Sequence, residues 1–277
     1  VEPGHNRLAK LLNQSDRIVA ICKMVDEDDP GVAPPPSVPA DRVSFSDLVV
    51  DADGVVRRAL LFASPNQGKC LTPFSFSFQM ARRYLEKEGI QPKNRPLGKH
   101  LQLGKAVFPP LEANSGSYQG IDARGYQLLL NYRSANTVAQ QVTLSQVLNN
   151  QIKPEWVRDR IVLIGTTAPS VRDIFNTPYS AGKQQQRKMP GVVIHAQVVS
   201  QILSSALDNR TLLWYLPQWG EMLWVWGWSL VGGFIVWRLR HPLRMSLAGV
   251  AALSSLVGIG YGLLIVGGWI PLVPPIL

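Results

Sequence analysis

Charged residues are nearly missing from the last part of the chain. No lysine occurs after position 188, and beyond Trp214 the only charged residues are Glu221, Arg238, Arg240 and Arg244. A surface helix of a water-soluble protein carries charged or polar residues on its exposed face. The composition therefore implies two solvents, which are water for residues 1–213 and lipid for residues 214–277.

The motifs of several enzyme classes are also missing. The chain has no glycine-rich phosphate-binding loop, no Cys/His spacing typical of a metal site and no G-x-S-x-G nucleophile motif. The net charge is +9, but the basic residues are scattered and do not form a basic helix with interleaved aromatics. We therefore expect no metal, no cofactor and no nucleic acid, although the basic surface favours anionic lipid headgroups or acidic glycans.

Cysteine is scarce, since Cys22 and Cys70 are the only two in the chain. Outside the cytoplasm such a pair can oxidise to a disulfide. Alternatively, Cys22 lies in a predicted strand and is buried there as a small apolar residue. Both interpretations stay open at the level of sequence.

Helical and strand patterns alternate through the first 213 residues. Apolar spacing predicts helices at 5–15, 73–90, 143–150 and 192–207, and strands at 17–25, 125–132 and 160–168. A hairpin is predicted at 44–63, with its turn at Asp51-Ala52-Asp53-Gly54. The run at 160–168 is almost wholly apolar, as in a strand buried on both faces. The pattern predicts an α/β fold with a mixed sheet covered by helices.

The residues after the predicted strand at 160–168 are the candidate ligand site. Thr166 and Thr167 lead into Ser170 and Asp173, and α/β folds bind ligands at the carboxyl ends of their strands. His195, in an apolar stretch, is a further candidate ligand contact or a hydrogen-bonded structural histidine. In the alternative interpretation, Thr166, Thr167 and Asp173 only cap the following turn.

Ser170, Asp173 and His195 also include the residue types of a hydrolytic triad. The absence of a nucleophile elbow and of any signal for an oxyanion hole argues against hydrolysis. We predict no catalytic residue, and keep a membrane-tethered hydrolase and a structural envelope domain as alternatives.

The tail predicts a transmembrane helical hairpin and the start of a third span. Residues 222–237 are uncharged, and the run widens to Trp214 if Glu221 lies at the interface. A second span is predicted at about 245–266, before Gly267, Gly268 and Pro271 interrupt the helix. The short loop at 238–244 holds three arginines and no acid, which places it on the cytoplasmic side. Residues 1–213 are therefore expected outside the cytoplasm.

Five motifs in order carry a family resemblance: DADGVVRR, NYRS, TLSQVLNNQI, RIVLIGTTAPSVRDIFNTP and MPGVVIHAQVVSQIL. With them the chain closely resembles the second type of CHASE domain, the cyclase- and histidine-kinase-associated sensory extracellular domains. The tail segments WYLPQWGEMLWVWGW and GGWIPLVPP look like those of cyanobacterial members.

The resemblance implies an extracytoplasmic, periplasmic sensory domain of a multi-pass protein in the inner or plasma membrane. It also implies an N-terminal anchor, three following membrane helices and a cytoplasmic kinase or cyclase in the same polypeptide. We expect the lipid bilayer and an unknown small-molecule or ionic stimulus as partners. Small residues spaced i, i+4 in the tail are compatible with a homodimer as well as with packing inside one bundle.

Overall fold

The computed structural model describes residues 4–65, 67–94, 100–135, 138–171, 173–180 and 188–273. Its α-helices are α1 His5–Gln14, α2 Phe76–Lys87, α3 Leu144–Leu148, α4 Gly191–Asp208, α5 Gln218–Arg238 and α6 Pro242–Ile265. Its strands are β1 Ala20–Cys22, β2 Val43–Phe45, β3 Arg58–Phe62, β4 Lys93–Asn94, β5 Leu101–Leu103, β6 Ala106–Phe108, β7 Tyr126–Leu129, β8 Ile174–Phe175, β9 Met189–Pro190, β10 Trp214–Tyr215 and β11 Gly268–Trp269.

The chain divides into two compact units. The first unit contains the residues up to Pro110 and Arg124–Arg210, and the second contains Leu111–Ala123 and the residues from Thr211 onward. The change of unit after Arg210 lies close to the boundary predicted at residue 213. The inclusion of Leu111–Ala123 in the second unit was not predicted.

The first unit is mixed α/β, as predicted, but its strands form several small sheets in place of one. β1 pairs with β2 in parallel, whereas β3 with β7 and β8 with β9 pair antiparallel. β4, β5 and β6 form an antiparallel sheet of three strands. Helix α2 packs against α4, and a core cluster of Cys22, Val38, Val43, Phe45 and Cys70 lies around β1 and β2.

The prediction of a strand at 160–168 is wrong. Among the described residues these positions join no sheet, and the side chain of Ile164 is 91% exposed. Apolar, β-branched composition shows only that a segment is suited to a pleated, half-buried surface. A strand also needs a neighbouring strand to accept its backbone hydrogen bonds, and none pairs with this segment here.

Several predictions that depend on short-range signals are confirmed. The turn predicted at 51–54 is present, since Gly54 has φ of 79° and its N–H donates to the carbonyl of Asp51 at 2.8 Å. The predicted hairpin is not, because β2 pairs with β1 and β3 with β7, and Val49 and Arg58 form only an isolated bridge across the turn. Ser75 caps α2, because its hydroxyl accepts from the N–H of Phe78 at 3.2 Å. Thr143 begins α3 with a capping box.

Helix α1 ends against a buried arginine that the sequence did not predict. The guanidinium of Arg42 is 5% exposed and donates to the carbonyls of Leu12 at 2.7 Å and Asn13 at 2.6 Å. It also donates to the carbonyl of Ser15. These carbonyls are the ones that a helix leaves without an internal partner at its C-terminus, so Arg42 provides the cap.

In the second unit α5 and α6 contact each other, and residues 239–241 connect them. β10 pairs with β11 in parallel, so the residues before α5 lie beside those after α6. Of the helices in the described ranges, α6 is the one that is both long and apolar enough to cross a bilayer. Of the predicted transmembrane hairpin, one helix is therefore supported. Residues 274–277, which belong to the predicted third span, lie outside the described residues.

The segment Leu111–Ala123 packs inside the second unit against its aromatic residues. The ring of Tyr118 lies edge-on to that of Trp269, with 5.0 Å between the centroids. Gly116 has φ of 60°, and a Cβ at this position would lie 2.4 Å from the Trp269 ring. The close approach of Trp269 therefore requires glycine here.

Candidate functional site on helix α4

Helix α4 places three large polar side chains, besides the small Ser204 and Ser205, in the core among its apolar ones. Ile194, Val198 and Ile202 are almost completely buried. His195, Gln197 and Gln201 are also buried, at 8%, 2% and 3% exposure. We call these three residues the polar row of α4. Because an unpaired buried polar group is costly, each of them must find a partner.

His195 forms hydrogen bonds with α2 and with the residue that follows β2. Its Nδ1 lies 2.8 Å from the hydroxyl of Ser77, and its Nε2 lies 3.2 Å from the carbonyl oxygen of Ser46. A carbonyl only accepts, so we assign the proton to Nε2 and let Nδ1 accept from Ser77. Burial lowers the pKa of His195 to about 4, so the ring is neutral at physiological pH.

Gln197 and Gln201 bind the segment that follows β7. Gln197 accepts from the N–H of Arg133 at 2.9 Å and donates to the carbonyl of Ser134 at 2.6 Å. One turn later, Gln201 accepts from the N–H of residue 131 at 2.9 Å and donates to the carbonyl of residue 129 at 3.0 Å. Both amides thus act like the edge of a neighbouring strand and hold the NYRS motif on α4.

Arg210, just after α4, reaches back to the same motif. One of its terminal nitrogens donates to the backbone oxygen of Asn131 at 3.0 Å and to the side-chain oxygen of Asn131 at 3.2 Å. Tyr132 donates through its hydroxyl to the carbonyl of Val56 at 2.9 Å. The motif therefore connects the end of α4 with the residues before β3.

The DADGVVRR motif forms a charged network at the turn 51–54. Buried Arg58 donates to Asp51 at 2.7 Å and to the side-chain oxygen of Gln127 at 2.7 Å. Arg57 donates to Asp51 at 3.0 Å and to both carboxylate oxygens of Asp53. Because each carboxylate has a guanidinium partner, the network orders the turn and holds β3 against β7.

The structure does not assemble the predicted ligand residues into one site. Thr166, Thr167 and Ser170 are exposed on the segment that was predicted as a strand and its continuation. Asp173 is half-buried, and burial raises the pKa of its carboxyl group. It lies beside Gly191 at the start of α4, where a Cβ would come within 2.5 Å of its carboxylate.

His195 points away from these residues, since its two nitrogens face Ser77 and Ser46. The bonding partners of a nucleophile triad are therefore not in place. Ligand contact by Thr166, Thr167, Ser170, Asp173 or His195 stays a prediction. In the described ranges no group of three or more His, Cys, Asp and Glu residues is arranged to hold a metal ion.

Cys22 and Cys70 form a disulfide bond in the core of the first unit. Their Cα atoms are 5.6 Å apart, and both side chains are buried. The bond links β1 to the loop before α2, across 48 residues of sequence. It lies in the same apolar cluster as Phe45 and therefore contributes to the support of β1 and β2.

The polar row and Arg210 are the residues that sequence reasoning missed. Gln197 and Gln201 are one turn apart on a helix rich in apolar residues, and this was the available signal. Their partners lie more than 60 residues away in the chain. No short-range pattern identifies such partners.

The comparisons with known proteins decide the family. A family model described as the CHASE2 domain matches residues 2–234. The chain belongs to the CHASE2 family. No curated protein and no solved structure was found to match it.

CHASE2 domains are sensory, extracellular domains of membrane receptors and are not catalytic. The matched region runs past α4 and through most of α5. The family unit of this CHASE2 chain therefore includes the connection between the polar row and the first tail helix.

Proposed function

We propose that this CHASE2 chain is the input module of a transmembrane signalling receptor. A stimulus outside the cytoplasm shifts α4, and the shift passes through α5 to a cytoplasmic kinase or cyclase module in the same polypeptide. The observation that carries the proposal is the bonding of α4, whose buried polar row ties it to three separate segments of the first unit.

The covalent route from α4 to the tail is short. Residues 209–217 alone separate the end of α4 from the start of α5. Leu111–Ala123 provides a second route, because it is continuous with β6 on one side and β7 on the other while belonging to the second unit. A rearrangement of the first unit can thus act on the second through both connections.

The proposal includes α5 and α6 as a membrane hairpin in a multi-pass protein, with the lipid bilayer as partner. Residues 222–237 of α5 carry no charge, and the pairing of β10 with β11 brings the start of α5 beside the end of α6. The basic residues of 238–244 lie at the opposite end of the hairpin. This arrangement satisfies the preference for arginine on the cytoplasmic side.

Coupling can be tested with the fluorescence of the chain itself. Of its eight tryptophans, all except Trp156 belong to the second unit. In a Trp156→Phe background, in lipid nanodiscs, emission therefore reports the second unit alone. We expect Gln201→Leu to change the emission maximum or the quenching by acrylamide, because the variant frees the segment at 129–131 from α4 and shifts the population of α4 states.

Gln151→Leu is the matched control, since this exchange is made at an exposed side chain. Hydrogen exchange at 129–134 establishes that Gln201→Leu has loosened its target. Loosened amides together with unchanged tryptophan emission would refute the coupling of α4 to the tail.

A further inference from the structure

Two arginines, Arg133 and Arg210, carry positive charge without an acidic partner among the residues that the structure describes. The ion pairs formed by described residues involve other basic side chains, namely Lys23, Arg57, Arg58, Arg82 and Arg83. Arg133 uses its backbone N–H to bind Gln197, whereas its exposed guanidinium bonds to none of the described residues. The second arginine is Arg210.

The guanidinium of Arg210 is only half satisfied. Asn131 holds one terminal nitrogen through two oxygen atoms, while the other terminal nitrogen is buried and has no hydrogen-bond partner among the described residues. Burial lowers the pKa of Arg210, and the nearby charge of Arg133 lowers it further. Within the part of the chain that the structure describes, two cations therefore lie together without a compensating anion.

A tyrosine completes the cluster. The ring of Tyr179 lies edge-on to that of Tyr132, with 6.0 Å between the centroids, and Tyr179 is close enough to Arg210 to influence it electrostatically. Its hydroxyl bonds to none of the described residues and is available as a donor. Gln197 and Gln201 fix the backbone from which Arg133 extends. The donors are thus presented by an ordered frame.

We infer that Arg133, Arg210 and Tyr179 form a binding site for an oxyanion, the phosphate, sulfate or carboxylate group of a stimulus molecule or lipid headgroup. Guanidinium groups donate in pairs to the oxygens of such anions, which is the strongest hydrogen bonding available to them. A bound oxyanion would remove the repulsion between the two arginines and satisfy the buried nitrogen of Arg210.

The site rests on the geometry around Arg210, whereas its role as receptor input rests on the proposed function. Arg210 is the last residue of the first unit and follows α4 directly. An anion that bridges Arg133 and Arg210 would fix the end of α4 relative to the NYRS motif. Binding at this site would therefore act where the chain passes to the second unit.

Binding can be tested with the intact chain in zwitterionic nanodiscs. Inorganic phosphate, sulfate and succinate are titrated at constant ionic strength with chloride as the balancing anion, and thermal unfolding is recorded. At least one of them is expected to raise the Tm in a saturable manner. Arg133→Gln should weaken the apparent affinity about tenfold or more, since it removes a charged donor. Tyr179→Phe should weaken it less.

Arg158→Gln is the control for net charge, because Arg158 is exposed and its substitution changes the charge equally. Its binding curve should match that of the wild type. A second arm compares nanodiscs with and without phosphatidylglycerol. Stabilisation by this lipid that is lost in Arg133→Gln identifies a headgroup as the source of the anion, whereas stabilisation by soluble anions alone identifies a free molecule.

The site is refuted if neither soluble anions nor phosphatidylglycerol stabilises the wild type, or if Arg133→Gln responds as the wild type does. The sensor role is tested separately by tryptophan emission in the Trp156→Phe background during the same titration. Saturable binding with unchanged emission would leave the site standing and refute its role as input.

Discussion

At the scale of single residues, His195 shows how burial determines chemistry. Its neutral ring accepts from Ser77 and donates to Ser46, and protonation would place a charge in the interface between α2 and α4. Since the pKa is lowered to about 4, well below the ordinary value of 6.5, the unfolded chain binds a proton at a higher pH than the folded chain does. The contribution of His195 to the free energy of unfolding is therefore fully present above about pH 6.5 and is lost as the pH decreases toward 4.

We predict that His195→Gln makes the stability of α4 less dependent on pH. The wild type should lose about 2 kcal/mol of stability between pH 7.5 and pH 5 through His195, at 1.36 kcal/mol per unit of pKa difference. Hydrogen exchange of the α4 amides measures this loss. It is expressed at each pH as the ratio of the exchange rates in the wild type and in His195→Gln. A ratio that stays constant over this range would contradict the prediction. The exposed His5, His100 and His241 are the same in both proteins and cancel.

At the scale of secondary structure, the elements differ in what holds them. Helix α4 is held by apolar packing and by its polar row, whereas α1 has no buried residue and no side-chain cap at its N-terminus. Short isolated helices are marginal in water. The cap that Arg42 provides at the C-terminus of α1 is therefore a main support of this helix.

We predict that Arg42→Leu unfolds α1 locally while α2 stays folded. Hydrogen bonds from a charged group contribute about 1.5–3 kcal/mol, so the protection of the α1 amides should fall about tenfold or more. Hydrogen exchange followed by peptide mass analysis measures both helices in one experiment. Arg17→Leu removes an exposed arginine near the same helix and should leave α1 protected. Equal protection of α1 in the wild type and in Arg42→Leu would show that the cap is dispensable.

Local signals account for the elements that were predicted correctly. Caps such as Ser75 and Thr143, and the turn at Gly54, depend on residues within a few positions of one another. The failed strand at 160–168 depended on pairing with distant residues, which composition does not specify. The polar row was missed for the same reason, because the partners of Gln197 and Gln201 lie in another part of the chain.

At the scale of the whole molecule, the proposed function requires one particular topology. The proposed receptor requires the first unit outside the cytoplasm and the arginines of 238–244 inside. Lys105 lies in the exposed turn between β5 and β6, and His241 is exposed between α5 and α6. Both positions accept a cysteine without loss of a loop arginine, and the native cysteines are joined to each other.

We predict that a membrane-impermeant maleimide labels Lys105→Cys but not His241→Cys in intact cells. After permeabilisation both variants should react, which shows that both cysteines are accessible. Labelling of His241→Cys alone before permeabilisation would reverse the proposed topology and exclude an extracytoplasmic sensor. Mass analysis of the purified chain measures the labelled fraction.

The sequence by itself determined the properties that depend on composition and on neighbouring residues. It separated a water-exposed α/β part from an apolar tail, predicted most helices with their caps, and carried the motifs of the CHASE2 family. Only the tertiary structure decided which residues meet. It alone brought Arg133 and Arg210 to one place, turned His195 toward Ser77 and placed Leu111–Ala123 with the tail. Such contacts join residues far apart in the chain, and a one-dimensional pattern records no distance between them.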